Sequence, residues 1–167
     1  TAYFYVDGDP EGSDTDTNIA DNSASGTNDF SIGLRDGLNR PYMGNLDEVR
    51  VHSTIRSADW VKTEYNNQVN PGVGSTQFIK ILGDEETDSS WHGTCWQYRK
   101  RLTLDAGLVS ADATDFPVLI SFTNDGDLAA GAQSDGDDIL FTSANGTTQL
   151  DHEIEDFDGT NGDIVAW

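Results

Sequence analysis

Apolar residues in this chain come in short bursts and never in long runs: Ala2–Val6, Phe78–Leu82, Phe116–Ile120 and Ile139–Phe141. Gly, Asn, Asp and Ser fill the intervals, and each of these favours a turn over a continued ladder. Bursts of this length suit strands, and their repeated interruption is the pattern of an antiparallel sandwich or barrel. The length of 167 residues suffices for one large or two small domains, and 35% hydrophobic content with 17 Gly fits strand-and-turn material. The expected fold is therefore all-β, built from antiparallel β-sandwich segments, with one short helix near residues 57–67.

Charge narrows the partners. Thirty acidic residues against nine basic give a net charge of −21, a field that repels nucleic acid and anionic membrane surfaces. No stretch is long and apolar enough for a membrane-spanning helix, so neither nucleic acid nor membrane insertion is expected. The acids are mostly Asp, which suits turns, divalent cations or a saline medium. That balance favours an extracellular setting. Cys95 is the only cysteine; it excludes an intrachain disulfide and a multi-cysteine metal site, and reads as a small buried hydrophobe.

Several elements can be placed. Ala2–Val6 reads as a strand entering the turn Asp7-Gly8, and residues 9–28 read as a long acidic loop. Phe30–Leu34 and Leu46–Val51 alternate as half-buried strands do. Ser57 offers a helix N-cap with Asp59 in the first turn, and Trp60, Val61, Glu64 and Tyr65 follow at helical spacing to about Asn67. Phe78–Leu82 is a further strand. Residues 83–93 are polar and unpatterned, a linker. Beyond them strands are expected at Tyr98–Leu104, Phe116–Phe122, Asp138–Thr142, Leu150–Glu155 and Asp163–Trp167, with Asn145-Gly146 as a type I′ hairpin turn. Domains are expected at 1–86 and 96–167, joined by a linker at 87–95, each of them a part of a larger module.

Two resemblances sharpen this. Tyr5-Val6-Asp7-Gly8, Ile32-Gly33, the run from Gly44 to Val51 and the run from Trp60 to Tyr65 resemble, in that order, the C-terminal half of a laminin-G-like domain of the concanavalin A-like lectin/glucanase superfamily. The resemblance implies a jelly-roll of two antiparallel sheets that binds glycans or proteins, with a calcium ion at a rim loop in some members. The matching loop carries Asp36 and Asn39 as metal-ligand candidates. Further on, the runs Tyr98–Thr103, Asp115–Ile120, Asp135–Thr142 and Leu150–Glu155 resemble the N-terminal part of a domain family of unknown function. Such domains commonly neighbour laminin-G-like modules in large prokaryotic surface proteins.

Candidate sites are few. Asp14-Thr15-Asp16-Thr17-Asn18 begins like a calcium loop, but Ile19 stands where the turn glycine belongs and Ser25 where the bidentate Glu belongs. Asp135 and Asp137, flanking Gly136, form a second acidic turn able to face a cation, and Asn124–Asp127 a weaker third. Asp151, Glu153 and Glu155 share one face of the expected strand; a glycosidase pair of that kind needs a sugar cleft and a neighbour that separates the two acidities, and the sequence supplies neither. Trp91 is the tryptophan placed to stack on a sugar ring, and Asn145-Gly146-Thr147 is an N-glycosylation sequon. No nucleophile elbow, phosphate-cradling loop or zinc helix occurs. The expectation is a non-enzymatic structural or adhesive segment of a long extracellular surface or filament protein, partnered by copies of itself or neighbouring repeats. The alternative is a calcium-assisted carbohydrate-binding module, accessory to a polysaccharide-degrading enzyme.

Overall fold

The computed structural model describes residues 2–14, 34–35, 40–87, 92–93 and 96–167. The chain divides into two compact units, one formed by residues 1–6 and 10–56, the other by residues 7–9 and 57–167. Small sheets predominate, with two helices and no closed sandwich among the described residues.

Strands β1 (Ala2–Val6) and β2 (Asp9–Asp14), which apart from Asp9 belong to the first unit, form a two-stranded sheet. The two-residue turn between them has Asp7 at φ 53° and Gly8 at φ 75°, the backbone that tightens a hairpin in register with strand twist. Residues 9–14 thus continue a ladder where a loop was expected. Strands β3 (Leu34–Arg35) and β4 (Arg40–Pro41) pair antiparallel, Leu34 opposite Pro41. The expected strand at Leu46–Val51 does not form. Glu48 adopts φ 50°, a left-handed backbone that breaks extended pairing. Asp47 Oδ1 accepts the Glu48 N–H at 2.9 Å, and Arg50 bonds back to Glu48 at 2.8 Å. Short local bonds replace the ladder.

The second unit holds the core. Helix α1 (Ala58–Val69) begins as its sequence dictates: the Ser57 side chain accepts the Trp60 N–H, and Asp59 sits in the first turn. Its inner face buries Trp60, Thr63 and Asn67, spaced three and four apart. Trp60 meets Phe116 edge-on at 5.3 Å between centroids, and Phe78 stacks on Phe116 at 6.5 Å. Asn67 acts as a surrogate strand: its Oδ1 accepts the Leu119 N–H at 2.6 Å and its Nδ2 donates to the Leu119 carbonyl at 2.9 Å. Pro117, which has no N–H, and this clamp explain why the expected strand at Phe116–Phe122 shrinks to β9 (Ile120–Phe122).

Strand β5 (Ile79–Leu82) pairs antiparallel with β8 (Leu102–Leu104), and β6 (Glu86–Thr87) with β7 (Tyr98–Arg99). Both pairings bridge the polar stretch read as a linker. The three-stranded sheet runs β10–β11–β9, with β11 (Asp163–Ala166) central and β10 (Ile154–Asp158) at one edge. Among the described residues, Ile79, Ile120, Ile164, Ala166, Phe78 and Trp60 are the buried apolar side chains, and burying each of the larger ones contributes about 1.5–3 kcal/mol. A second helix, α2 (Gly126–Gly131), occupies a stretch read from sequence as an acidic turn.

Candidate functional site

Asp135, Asp137, His152 and Glu155, four of the second unit's sequence candidates, line one open cleft of about 420 Å³ together with Gly136, Ile139, Ile154, Asp156 and Phe157, while Asp151, Glu153, Asn145 and Asn124–Asp127 are not part of its lining. Its acidic wall is a turn and not the start of a strand. The Ile139 N–H bonds the Gly136 carbonyl at 2.9 Å, and the Gly136 N–H bonds the Gln133 carbonyl at 3.0 Å. Gly136 is required here: its φ is +73°, and a Cβ would lie 3.0 Å from the Phe157 ring. Asp135 Oδ1 accepts the Asp137 N–H at 3.3 Å, and both carboxylates are exposed.

The opposite wall is the start of β10. Asp151, Glu153 and Glu155 are exposed while His152 and Ile154 are half-buried, the alternation read from sequence. The ladder begins later than expected, at Ile154, although Glu153 and Trp167 still exchange backbone bonds at 3.0 and 2.9 Å. A register shift between Ile154 and Asp156 turns Glu155 and Asp156 outward together, as a bulge does. His152 Nδ1 lies 2.9 Å from the Leu150 carbonyl and its ring meets Phe141 at 5.4 Å. A carbonyl only accepts, so Nδ1 carries a proton. Among the described residues, no three His, Cys, Asp or Glu side chains form a group that could hold a metal ion.

Asn145 sits at an exposed turn, but not a type I′ turn, since positive φ occurs at Gly146 and not at Asn145. Its Oδ1 accepts from Ser143 Oγ at 2.8 Å and from the Thr147 and Thr148 N–H groups at 2.9 Å each. Its Nδ2 donates to Thr148 Oγ1 at 2.9 Å. Trp91, Asp36, Asn39 and Cys95 lie outside the described residues, as do Thr15–Asn18 of the first acidic loop.

Sequence reasoning missed the most constrained polar cluster. Lys100 Nζ lies 2.7 and 2.6 Å from the two carboxylate oxygens of Asp125 and 2.6 Å from Asp127 Oδ2. Asp125 also caps α2, its Oδ1 taking the Asp127 and Leu128 N–H groups at 3.0 Å each. Where the sequence offered Asn124–Asp127 as a weak cation turn, the cation between the carboxylates is the chain's own ammonium. Desolvation would raise the Asp125 pKa, but the Lys100 hydrogen bond, the backbone donors and the ammonium charge outweigh it, holding the carboxyl below its ordinary value. Desolvation likewise opposes charge on Lys100, yet its bonds to Asp125 and Asp127 hold its pKa above the ordinary value. One signal was available. Lys100 and Arg101 are the last basic residues, and residues 102–167 carry fourteen acids with no Lys or Arg, so a nearby ammonium is a scarce partner for a semi-buried carboxylate.

Against known proteins, the chain's likeness is confined to its first part. Residues 1–62 match a family model, Laminin_G_3, described as the concanavalin A-like lectin/glucanases superfamily. That stretch is lectin-like in sequence. It spans less than half of the chain. No curated protein and no solved structure matches. No helix among the described residues is long and apolar enough to cross a membrane.

Proposed function

We propose that this chain is a non-catalytic structural or adhesive segment of an extracellular surface or filament protein built from β-sandwich modules. The first unit is part of a jelly-roll completed by neighbouring polypeptide, from copies of the same protein or from adjoining repeats. One observation carries the reading. The lectin-like stretch and the residues beside it leave large apolar side chains in solvent: Met43 is 89% exposed, Val51 78% and Ile55 94%, with Tyr3, Phe4, Val6, Tyr42, Leu46 and Val49 more than half exposed. Apolar surface on this scale marks a face that meets other protein. The net charge of −21 directs that contact away from nucleic acid and anionic lipid.

Sedimentation velocity over a wide concentration range tests this. The expected result is reversible self-association that weakens in a Met43→Ser/Ile55→Ser double variant. A wild-type chain that remains monomeric at high concentration with a fully cooperative fold contradicts it.

The lectin-like match over residues 1–62 favours a second reading, a calcium-assisted carbohydrate-binding module with Asp36 and Asn39 at the cation and Trp91 on the sugar. Binding on a broad glycan array that a chelator abolishes supports that reading; no binding on the array removes it.

A further inference from the structure

Charge is divided unevenly between the two units. The second, residues 7–9 and 57–167, has twenty-two acidic residues against five basic, a net charge of −17 out of the chain's −21; the first has eight against four. Four of its five cations are already committed: Lys62 pairs with Asp9, Lys80 with Asp105, Arg99 with Glu86, and Lys100 with Asp125 and Asp127. Among the described residues, none of the nine carboxylates from Asp135 to Asp163 has a Lys or Arg partner. The fold nevertheless brings them together. Asp158 stands opposite Asp163 in the β10–β11 ladder, a position where like charges weaken pairing. Neutral donors hold both: the Thr160 N–H and the Asn161 side chain reach Asp158 at 2.8 Å each, and the Asn124 N–H reaches Asp163 at 2.8 Å. These bonds fix the oxygens in place and leave the charge uncancelled. Asp135, Asp137, Glu155 and Asp156 line a single open cleft whose wall includes neither Lys nor Arg.

We propose that the second unit is salt-dependent: the cation atmosphere of a saline medium is a condition of its stability, and low ionic strength opens it. Unfolding lets the same charges move apart, so self-repulsion weighs on the compact state. Salt removes that penalty by screening. The Debye length is about 30 Å at 0.01 M, so every carboxylate of the β10–β11 sheet and the cleft feels the others; at about 1 M it is about 3 Å, and only direct neighbours interact. A unit held by exposed ion pairs responds the opposite way and weakens as salt rises. Here uncancelled carboxylates outnumber the pairs, and repulsion sets the sign. Monovalent cations suffice, because the effect follows ionic strength and needs no ligand set; among the described residues no three His, Cys, Asp or Glu side chains form one. The inference does not depend on the proposed function. It concerns the medium in which the second unit stays folded.

Hydrogen exchange of the full chain, followed across 120–122 and 154–166 at one low protein concentration, tests it. Protection is expected to rise about tenfold or more between about 0.01 M and about 1 M sodium chloride, and equally with potassium chloride. An Asp135→Asn/Asp137→Asn/Asp156→Asn chain removes three exposed charges. It is expected to be better protected than the wild type at low salt, with the difference falling to less than about half at about 1 M. That narrowing separates screening from the general strengthening of apolar burial by salt, which acts on both chains alike. Wild-type protection that stays flat or falls with salt overturns the proposal. So does a variant less protected at low salt, or a difference that salt leaves unchanged. A gain complete at about 1 mM calcium chloride and absent with sodium chloride overturns it too, since that is the response of a coordinating site.

Discussion

The two units are made from similar residues and differ in where those residues point. The second buries Trp60, Phe78, Ile79, Ile120, Ile164 and Ala166, whereas no apolar side chain among the described residues of the first is buried. Yet the first unit holds most of the stretch with a family likeness. Among the described residues, the second unit gathers a buried apolar cluster and the first shows large apolar side chains in solvent. The difference teaches where the proposal that the first unit docks on other polypeptide can be tested.

Truncation is the strongest way to break the comparison. Phe78→Ala in the second unit is expected to cost about 3–5 kcal/mol, read as a lower denaturant midpoint. Asn67→Ala comes next: it strands the N–H and carbonyl of the half-buried Leu119, at up to about 1–3 kcal/mol for each group left unpaired. Equilibrium unfolding checks both. Gly136→Ala forces a left-handed backbone onto a residue with a Cβ and presses that Cβ on Phe157, for about 1–2 kcal/mol. A loss below a tenth of that range would show the turn to be adaptable.

Acid sharpens the picture more gently. The Gly107 N–H, with Lys80, holds Asp105 below its ordinary value, as do the Thr160 N–H and the Asn161 side chain for Asp158. A lowered carboxylate contributes stability that is full above the unfolded value and is lost as pH falls through the folded one. The unfolding midpoint should therefore hold steady down to about pH 4 and decline below it. Asn161→Ala should flatten part of that decline. The smallest stability effect belongs to the first unit: Met43→Ser or Ile55→Ser should shift unfolding by no more than about 0.5 kcal/mol, because neither side chain is buried.

Much of the fold was legible where local chemistry decides it. Ser57 and Asp59 placed the start of α1, Asp7-Gly8 placed a tight turn though not the strand that follows it, and the alternation of Asp151 to Glu155 placed their faces. Two misreadings share a cause, long-range polar contacts that composition does not display: Asn67 satisfies Leu119 in place of a strand, and Lys100 breaks the run Tyr98–Leu104 by meeting Asp125. A third is local: Glu48 leaves the extended region within an alternating segment and bonds only to Asp47 and Arg50 beside it. In the candidate site, the acidic turn at Asp135–Asp137 and the wall from His152 to Asp156 were each visible in sequence. Their convergence on one cleft was not, since it depends on packing between Gly136 and Phe157.

The central claim is that the first unit completes its packing on other polypeptide while the second stands by itself. Hydrogen exchange measured at low and at high protein concentration tests it most directly. The account predicts strong protection at 79–82, 102–104 and 154–166 at every concentration, and protection across 2–14 and 42–56 that grows as concentration rises. Equal, concentration-independent protection of both units at high dilution would contradict it.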